Sequence, residues 1–222
     1  MGIIGVVAAL TLPNLNSSTG DKEKIVKVKK VYQNLNDALG RASAVYGPVE
    51  DWFVNDANTT AQTTRFGERI TEFMKLSKNC KMTNGCYNSG SGTSGSYQFI
   101  LADGTAIRLS RMTFLGKNII YITIDIDGIN KGKNKDGYDV FYFQTNSSNW
   151  DIIEPLGAEI AVPQTYNNST LITSCAPGGG TYCAKWVIDY DNMDYLKMDN
   201  SGKCPNGSAL NVSANPPVIS CK

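Results

Sequence analysis

The segment best suited to chemistry is a glycine-rich turn between two strand-like stretches. Oxygen-bearing side chains recur along it at Asp125, Asp127, Asn130, Asp136 and Asp139. Ca²⁺ selects hard oxygen ligands on flexible loops of this kind. The spacing is not that of an EF-hand, because Gly128 comes too early and no glutamate occupies the twelfth position. These five residues are candidate ligands for a calcium ion, the one cofactor that the sequence suggests.

The same turn also has a purely structural interpretation. Asp and Asn side chains cap backbone amides in turns, and glycine supplies positive φ angles. Lys131, Lys133 and Lys135 lie within the segment and would repel a bound cation. The residues alone leave the structural turn and the calcium site open, and no cofactor is required.

A second group of carboxylates lies in the last third of the chain. Its members are Asp189, Asp191, Asp194 and Asp199, and they are interleaved with Tyr190 and Tyr195. Paired carboxylates beside aromatic rings occur in glycosidases and on sugar-binding faces. A solvated turn is the alternative interpretation of this group.

The overall composition excludes several classes of function. The chain of 222 residues contains no histidine. This removes the commonest general base and the usual triads and zinc sites. The net charge of +1, from 21 basic and 20 acidic residues, gives no reason to expect nucleic-acid binding. With no phosphate-binding glycine loop and no nucleophile elbow, we predict that the chain is not an enzyme.

The six cysteines indicate disulfide bonds. Their order suggests the local pairs Cys80–Cys86, Cys175–Cys183 and Cys204–Cys221. A metal site is the alternative, but no Cys-x-x-Cys spacing occurs and no histidine assists. Disulfides place the chain in an oxidising compartment.

The first half of the chain is predicted to be mainly helical. Apolar residues from Ile25 to Tyr46 recur at alternating steps of three and four, which is the period of one stripe on an amphipathic helix. Gly47-Pro48 should end this helix. A loop from Glu50 to Thr64 and a second short helix over about Arg65–Leu76 are expected to follow.

Strand-like alternation begins at Tyr97. The predicted strands are Tyr97–Leu101, Ala106–Leu109, Asn118–Asp127 and Tyr138–Phe143. They should form an antiparallel sheet of three or four strands, with the long helix as its cover. From Asp151 the chain is loop-rich, and Ala184–Lys197 is predicted to be a short helix that leads into a strand. The predicted fold class is α+β with a disulfide-containing C-terminal third.

The N-terminus carries an apolar run, Gly2 to Leu12, of eleven residues. This is shorter than the roughly 20 residues that cross a bilayer. With its continuation to Leu15, the run resembles the N-terminal methylation segment of type IV pilins and type II secretion pseudopilins. The matching residues are Ile4, Gly5, Ala8, Ala9 and Pro13. The leader, the Gly-Phe cleavage junction and the Glu of that family are absent, so we expect residues to be missing before Met1.

The resemblance implies a structural subunit of a bacterial pilus or pseudopilus filament. Residues 1–24 would form the apolar half of an assembly helix, and residues 25–222 a pilin-like head with the amphipathic half. The partners would be like subunits, the inner-membrane assembly machinery and, through the N-terminal helix, the membrane itself. The protein would then lie in the cell envelope, anchored in the inner membrane or assembled in a filament. The segment Asp125–Asp139 is similar to a strand–loop–strand element of pilin bodies, some of which bind calcium there.

Two further hypotheses come from other classes. The chain could be a secreted or surface-anchored module whose disulfide-rich last third binds a glycan or a protein, as an adhesin does. It could also be a carboxylate-based hydrolase. The sequence does not separate a pilus from a secretion system, or a major from a minor subunit.

Overall fold

A computed structural model describes most of the chain. The described residues are 3–53, 58–87, 95–114, 117–146, 148, 150–158, 170–214 and 217–221. For residues 3–19, 114, 117, 170, 214 and 217 only the backbone is described. Within these ranges lie four α-helices: α1 Ile3–Tyr46, α2 Thr59–Thr71, α3 Thr170–Cys175 and α4 Cys183–Tyr190.

The central element is a six-stranded antiparallel sheet. Its strands follow one another in chain order: β1 Leu76–Lys81, β2 Tyr97–Leu101, β3 Ala106–Phe114, β4 Lys117–Asp125, β5 Val140–Thr145 and β6 Ile153–Pro155. A separate hairpin joins β7 Asn211–Ala214 to β8 Pro217–Ser220. The predicted α+β class with an antiparallel sheet is therefore confirmed.

The core contains one face of α1 between residues 25 and 42. Buried apolar residues on this face are Ile25, Val28, Val31, Leu35, Leu39 and Ala42. The Tyr32 ring stacks on Phe143 of β5 at 5.6 Å between centroids. The Asn36 side chain donates to the Ile153 carbonyl (3.0 Å) and accepts from the Ile153 amide (2.9 Å). These contacts fix this part of α1 against the last two strands of the sheet.

The C-terminal end of α1 matches the predicted boundary. The helix ends at Tyr46, and Gly47 follows with a φ of +79°, which a residue with a side chain rarely adopts. The expectation that Tyr46 lies on the buried stripe is wrong. Its side chain is 36% exposed and its hydroxyl donates to Glu72.

The sequence pattern did not reveal the two edge strands. In β1, most side chains are exposed or half-buried, and its pairing with β2 contains two register irregularities. Charged side chains and irregular pairing are common on edge strands, where they hide the alternation that identifies inner strands. β6 has only three residues, which is too short for a periodic pattern.

The second helix begins earlier than predicted. Its first residue is Thr59, and the Asn58 side chain accepts from the Thr60 and Ala61 amides at 2.9 and 3.2 Å. Threonine has a low intrinsic helix propensity, so the first turn resembled a loop. The helix ends at Thr71, and Leu76 belongs to β1. The N-capping Asn58 was the signal that could have located this start.

The predicted strand after α4 is also wrong. Asp191 ends the helix in the left-handed conformation, with a φ of +55°. The Asn192 side chain then accepts from the Trp186 indole (2.9 Å) and from the Asp194 amide (3.1 Å). This local capping produces a 3₁₀ turn over Asp194–Leu196 in place of a strand.

The three predicted disulfides are confirmed. Cys80–Cys86, Cys175–Cys183 and Cys204–Cys221 are bonded, with Cα–Cα distances of 5.8, 5.3 and 5.4 Å. Each closes a short loop, and two of them lie in the loop-rich last third. They stabilise segments that contain little regular structure of their own.

Candidate functional site

The candidate calcium ligands lie on the loop that joins β4 to β5. β4 ends at Asp125 and β5 begins at Val140, so both strands are shorter at the loop than the sequence predicted. The Ile126 amide donates to the Asp139 carbonyl (2.9 Å), and the Gly137 amide donates to the Val140 carbonyl (2.8 Å). The first of these bonds joins the two ends of the loop, and the second closes a turn at its C-terminal end.

Asp125 lies at the start of the loop, where its side chain forms a turn. It is buried, and its Oδ1 accepts from the amides of Asp127 and Gly128, both at 3.1 Å. Burial raises the pKa of Asp125 to about 6, against the lowering effect of these two hydrogen bonds. The neighbouring carboxylates of Asp139 and Asp127 raise its pKa further.

Asp139 closes the loop and is fully buried. Its Oδ2 accepts from the amides of Lys133 and Asn134, the latter at 2.9 Å, and its Oδ1 accepts from the Lys135 amide at 2.6 Å. Both carboxylate oxygens therefore bind backbone N–H groups of the loop. One side chain orders three consecutive residues in this way.

The other three candidate ligands occupy different positions. Asp127 is half-buried, with its Oδ2 close to Gly132, where Asp139 Oδ2 also lies. Asp136 is exposed and accepts from the Tyr142 hydroxyl at 2.6 Å. Asn130 is in the left-handed conformation and is exposed. The loop therefore brings the carboxylates of Asp125, Asp127 and Asp139 close to one another, whereas Asp136 binds Tyr142 at the exposed surface.

These hydrogen bonds are those of the structural turn. No group of three or more Cys, Asp or Glu side chains that could hold a metal ion occurs among the described residues. Both carboxylate oxygens of Asp139 already accept hydrogen bonds from backbone amides, so fewer lone pairs remain to coordinate a cation. Calcium binding stays a prediction, which chelation can test.

The loop also packs on the last third of the chain, which sequence reasoning did not anticipate. The buried Tyr195 hydroxyl donates to the Gly137 carbonyl at 2.7 Å. A Cβ added at Gly137 would lie only 2.5 Å from Cys183 Sγ. Residues 58 positions apart in the chain are thus in direct contact, and no local pattern indicates this.

A tyrosine ties the loop to α1. The Lys24 ammonium lies 3.1 Å from the centroid of the Tyr138 ring, and the Lys133 ammonium lies 4.2 Å from it. Cation–π contacts of this kind contribute about 0.5–1 kcal/mol each at exposed sites. Tyr138 therefore fixes the loop beside the start of the amphipathic part of α1.

The second group of carboxylates does not form one site. Each of its four members binds a different partner: Asp189 pairs with Lys185, Asp191 with Lys29, Asp194 with Lys197, and Asp199 accepts from the amides of Ser201 and Lys203. Asp194 also accepts from the Cys221 amide at 2.8 Å. These contacts favour the structural interpretation of this group over a sugar-binding face.

A half-open groove of about 570 Å³ lies between α1 and the β2–β3 turn. Phe73, Met74 and Leu101 supply its apolar lining. Its rim carries charges of both signs, including the ion pair between Lys30 and Asp103 at 3.3 Å. The charged residues of the lining are three basic and two acidic ones, namely Lys30, Arg41, Lys75, Asp37 and Asp103.

The proposed assembly residues Ile4, Gly5, Ala8, Ala9 and Pro13 lie where only the backbone is described. That backbone is helical, as part of α1. Among the described residues, no helix has both the length and the apolar character needed to cross a bilayer.

Comparisons with protein-family models, curated proteins and solved structures find no match to this chain.

Proposed function

We propose that the chain is a structural subunit of the pilin or pseudopilin type, which assembles into a filament through its N-terminal helix. The observation that carries the proposal is the continuity of α1. One helix of 44 residues, Ile3–Tyr46, begins with the apolar run and ends with the stripe buried in the head.

The length of α1 supports two roles for one helix. A helix of 44 residues is about 66 Å long. A compact body of about 200 residues has a radius of gyration of about 16 Å, which corresponds to a diameter of about 42 Å. A helix longer than the body can cover the sheet with one half and contact other molecules with the other half.

The apolar run supplies the assembly contact. Residues 2–12 contain no charged side chain and include several small residues. Small residues let apolar helices approach one another closely in lipid. Such a segment is soluble in a bilayer or in a bundle of its own kind, so it can pass from one to the other during assembly.

The head suits an extracytoplasmic location. Three disulfides stabilise it, and disulfides persist in oxidising compartments such as the periplasm. In this proposal the subunit is anchored in the inner membrane before it joins a filament with other copies. The assembly machinery of that membrane is its second partner.

Cysteine cross-linking in cells tests this proposal. No free cysteine occurs among the described residues, so introduced thiols report on their own contacts. Val6→Cys combined with Leu15→Cys should give a ladder of covalent multimers on mild oxidation, because each copy can link to two neighbours. The control pair, Lys78→Cys with Ser201→Cys on the exposed head, should stay monomeric.

A monomer in both variants would contradict filament assembly. Binding of such a monomer to a glycan array would instead favour the adhesin-like alternative. The coding sequence upstream of Met1 offers a cheaper check, with an in-frame basic leader followed by Gly-Phe-Thr-Leu-x-Glu as the expected result.

A further inference from the structure

Lysines without a carboxylate partner gather where α1 meets the β4–β5 loop. We call them the lysine collar: Lys22, Lys24, Lys27, Lys131 and Lys133. Among the described residues, no ion pair involves any of the five, whereas the next lysines along α1 are paired. Lys29 binds Asp191 at 2.7 Å and Lys30 binds Asp103 at 3.3 Å.

The fold places a lysine of the β4–β5 loop next to a lysine of α1. Lys24 and Lys133 share the ring of Tyr138. Asp139 accepts from the Lys133 amide and orders the backbone there. Lys133 is therefore presented beside Lys24, and Lys131 lies two residues before it on the same loop. The three lysines of α1 lie within about 8 Å of helix axis.

The nearby carboxylates only partly neutralise the collar. Asp125 and Asp139 are buried and accept from backbone amides, while Asp21 pairs with Lys197 at 3.5 Å. Lys22, Lys131 and Lys133 are exposed. Glu23 and Asp136 are exposed as well, and Asp127 is half-buried. The five lysines outnumber these three carboxylates, so the surface of the collar keeps a net positive charge that an approaching surface meets.

We infer that the lysine collar binds the anionic phospholipid headgroups of the bilayer that holds the apolar run. This inference rests on the proposed function, since it requires α1 to enter a membrane. Lys22 follows Leu12 by ten residues, or about 15 Å of helix. The headgroup layer is about 5–8 Å thick on each side. Lys22 then lies about 7–10 Å from the headgroup layer, within about one Debye length, which is near 8–10 Å in physiological salt. Lys24 and Lys27 lie about 3 Å and 8 Å farther along the helix axis.

The collar gives the waiting subunit a defined position. Each lysine close to an anionic surface raises binding by about fivefold, and salt screens the effect. The head would be held against the bilayer surface by the collar, and the release of these contacts would accompany the move into a filament.

Vesicle binding by the full 222-residue chain tests the inference. The probes are vesicles of phosphatidylcholine alone and vesicles with about one third phosphatidylglycerol. The test variant is Lys131→Gln with Lys133→Gln, and both changes keep the backbone amides of the loop. The matched control is Lys75→Gln with Lys78→Gln, two exposed lysines outside the collar.

The expected result is a phosphatidylglycerol-dependent increase in the partition coefficient that falls about twentyfold in the collar variant. The control should keep the increase, and high salt should remove it in every protein. An equal increase in the collar variant and the wild type would overturn the inference, as would equal losses in both variants.

Binding to phosphatidylcholine alone reports the apolar run and not the collar. Its absence would count against the proposed function. The difference between the two lysine variants on phosphatidylglycerol vesicles would still decide whether the collar binds anionic headgroups.

Discussion

The two halves of α1 differ in what their side chains can contact. Between residues 25 and 42, apolar residues alternate with polar ones, and the apolar face is buried by the chain's own sheet and helices. Residues 2–12 are apolar on nearly all sides. The apolar face of an amphipathic helix can be buried within one molecule. A helix that is apolar on all sides needs lipid or other helices to cover it. The difference indicates that the head's stability depends on the second half. In the function we propose, assembly depends on the first half.

The largest effect should follow from a cavity in the buried half. Leu35 is fully buried, so Leu35→Ala should lower the free energy of unfolding by about 2–5 kcal/mol. Val26→Ala, at a position that is 65% exposed on the same helix, should change it by less than about 0.5 kcal/mol. Thermal or urea unfolding measures both. If both substitutions changed the free energy of unfolding by similarly small amounts, this half of α1 would not stabilise the head.

The next effect concerns the loop whose Tyr138 contacts Lys24, just before this half of α1. Asp139→Ala removes the acceptor of three amide hydrogen bonds and should lower the free energy of unfolding by about 2–4 kcal/mol. Asp139→Asn should restore part of the loss because it keeps one acceptor oxygen. Asp127→Ala is the control, with an expected change below about 1 kcal/mol. If Asp127→Ala were the more damaging of the two, the assigned role of Asp139 would be wrong.

A smaller effect should depend on pH. The pKa of Asp125 is raised to about 6, above its ordinary value near 4, because burial disfavours the charged form. The folded state therefore binds more protons than the unfolded state between about pH 4 and pH 6. Ionisation of this group lowers stability as pH rises through that window. Asp125→Asn, which keeps an acceptor oxygen, should gain up to about 3 kcal/mol over the wild type at pH 7 and nothing at pH 4. A pH-independent difference in unfolding free energy would contradict this account.

The smallest expected effect is that of metal removal. In the structural-turn interpretation the loop is held by its own amides, so chelation should leave the unfolding temperature unchanged. A calcium site would instead show a fall in unfolding temperature on chelation, and Asp127→Ala would remove that sensitivity. Calorimetry with calcium and with a chelator separates the two interpretations.

The parts of the fold that local patterns determine were predictable. Strong alternation located β2 to β5, the step of three and four residues located the buried part of α1, and proximity in sequence gave the disulfides. The edge strand β1 and the start of α2 were hidden because their residues are polar and weak in helix propensity. These errors arise where tertiary contacts outweigh the secondary-structure propensity of the local sequence.

The candidate site was predicted as a location but not as a geometry. The sequence marked the Asp125–Asp139 loop, yet the role of each carboxylate depends on burial and on donors supplied by the fold. The contact of Tyr195 with Gly137 and the ring shared by Lys24 and Lys133 join distant parts of the chain. Neither has a local signal in the sequence.

A comparison of one substitution in each half of α1 tests the central claim most directly. In the Val6→Cys, Leu15→Cys background, Ala8→Arg places a charge in the apolar run and Leu35→Ala opens a cavity in the head. Our account predicts that Ala8→Arg abolishes the cross-linked ladder and leaves the unfolding temperature of the head unchanged. Leu35→Ala should lower that temperature, while the molecules that remain folded still cross-link. An undiminished ladder in Ala8→Arg would contradict assembly through the N-terminal half of α1.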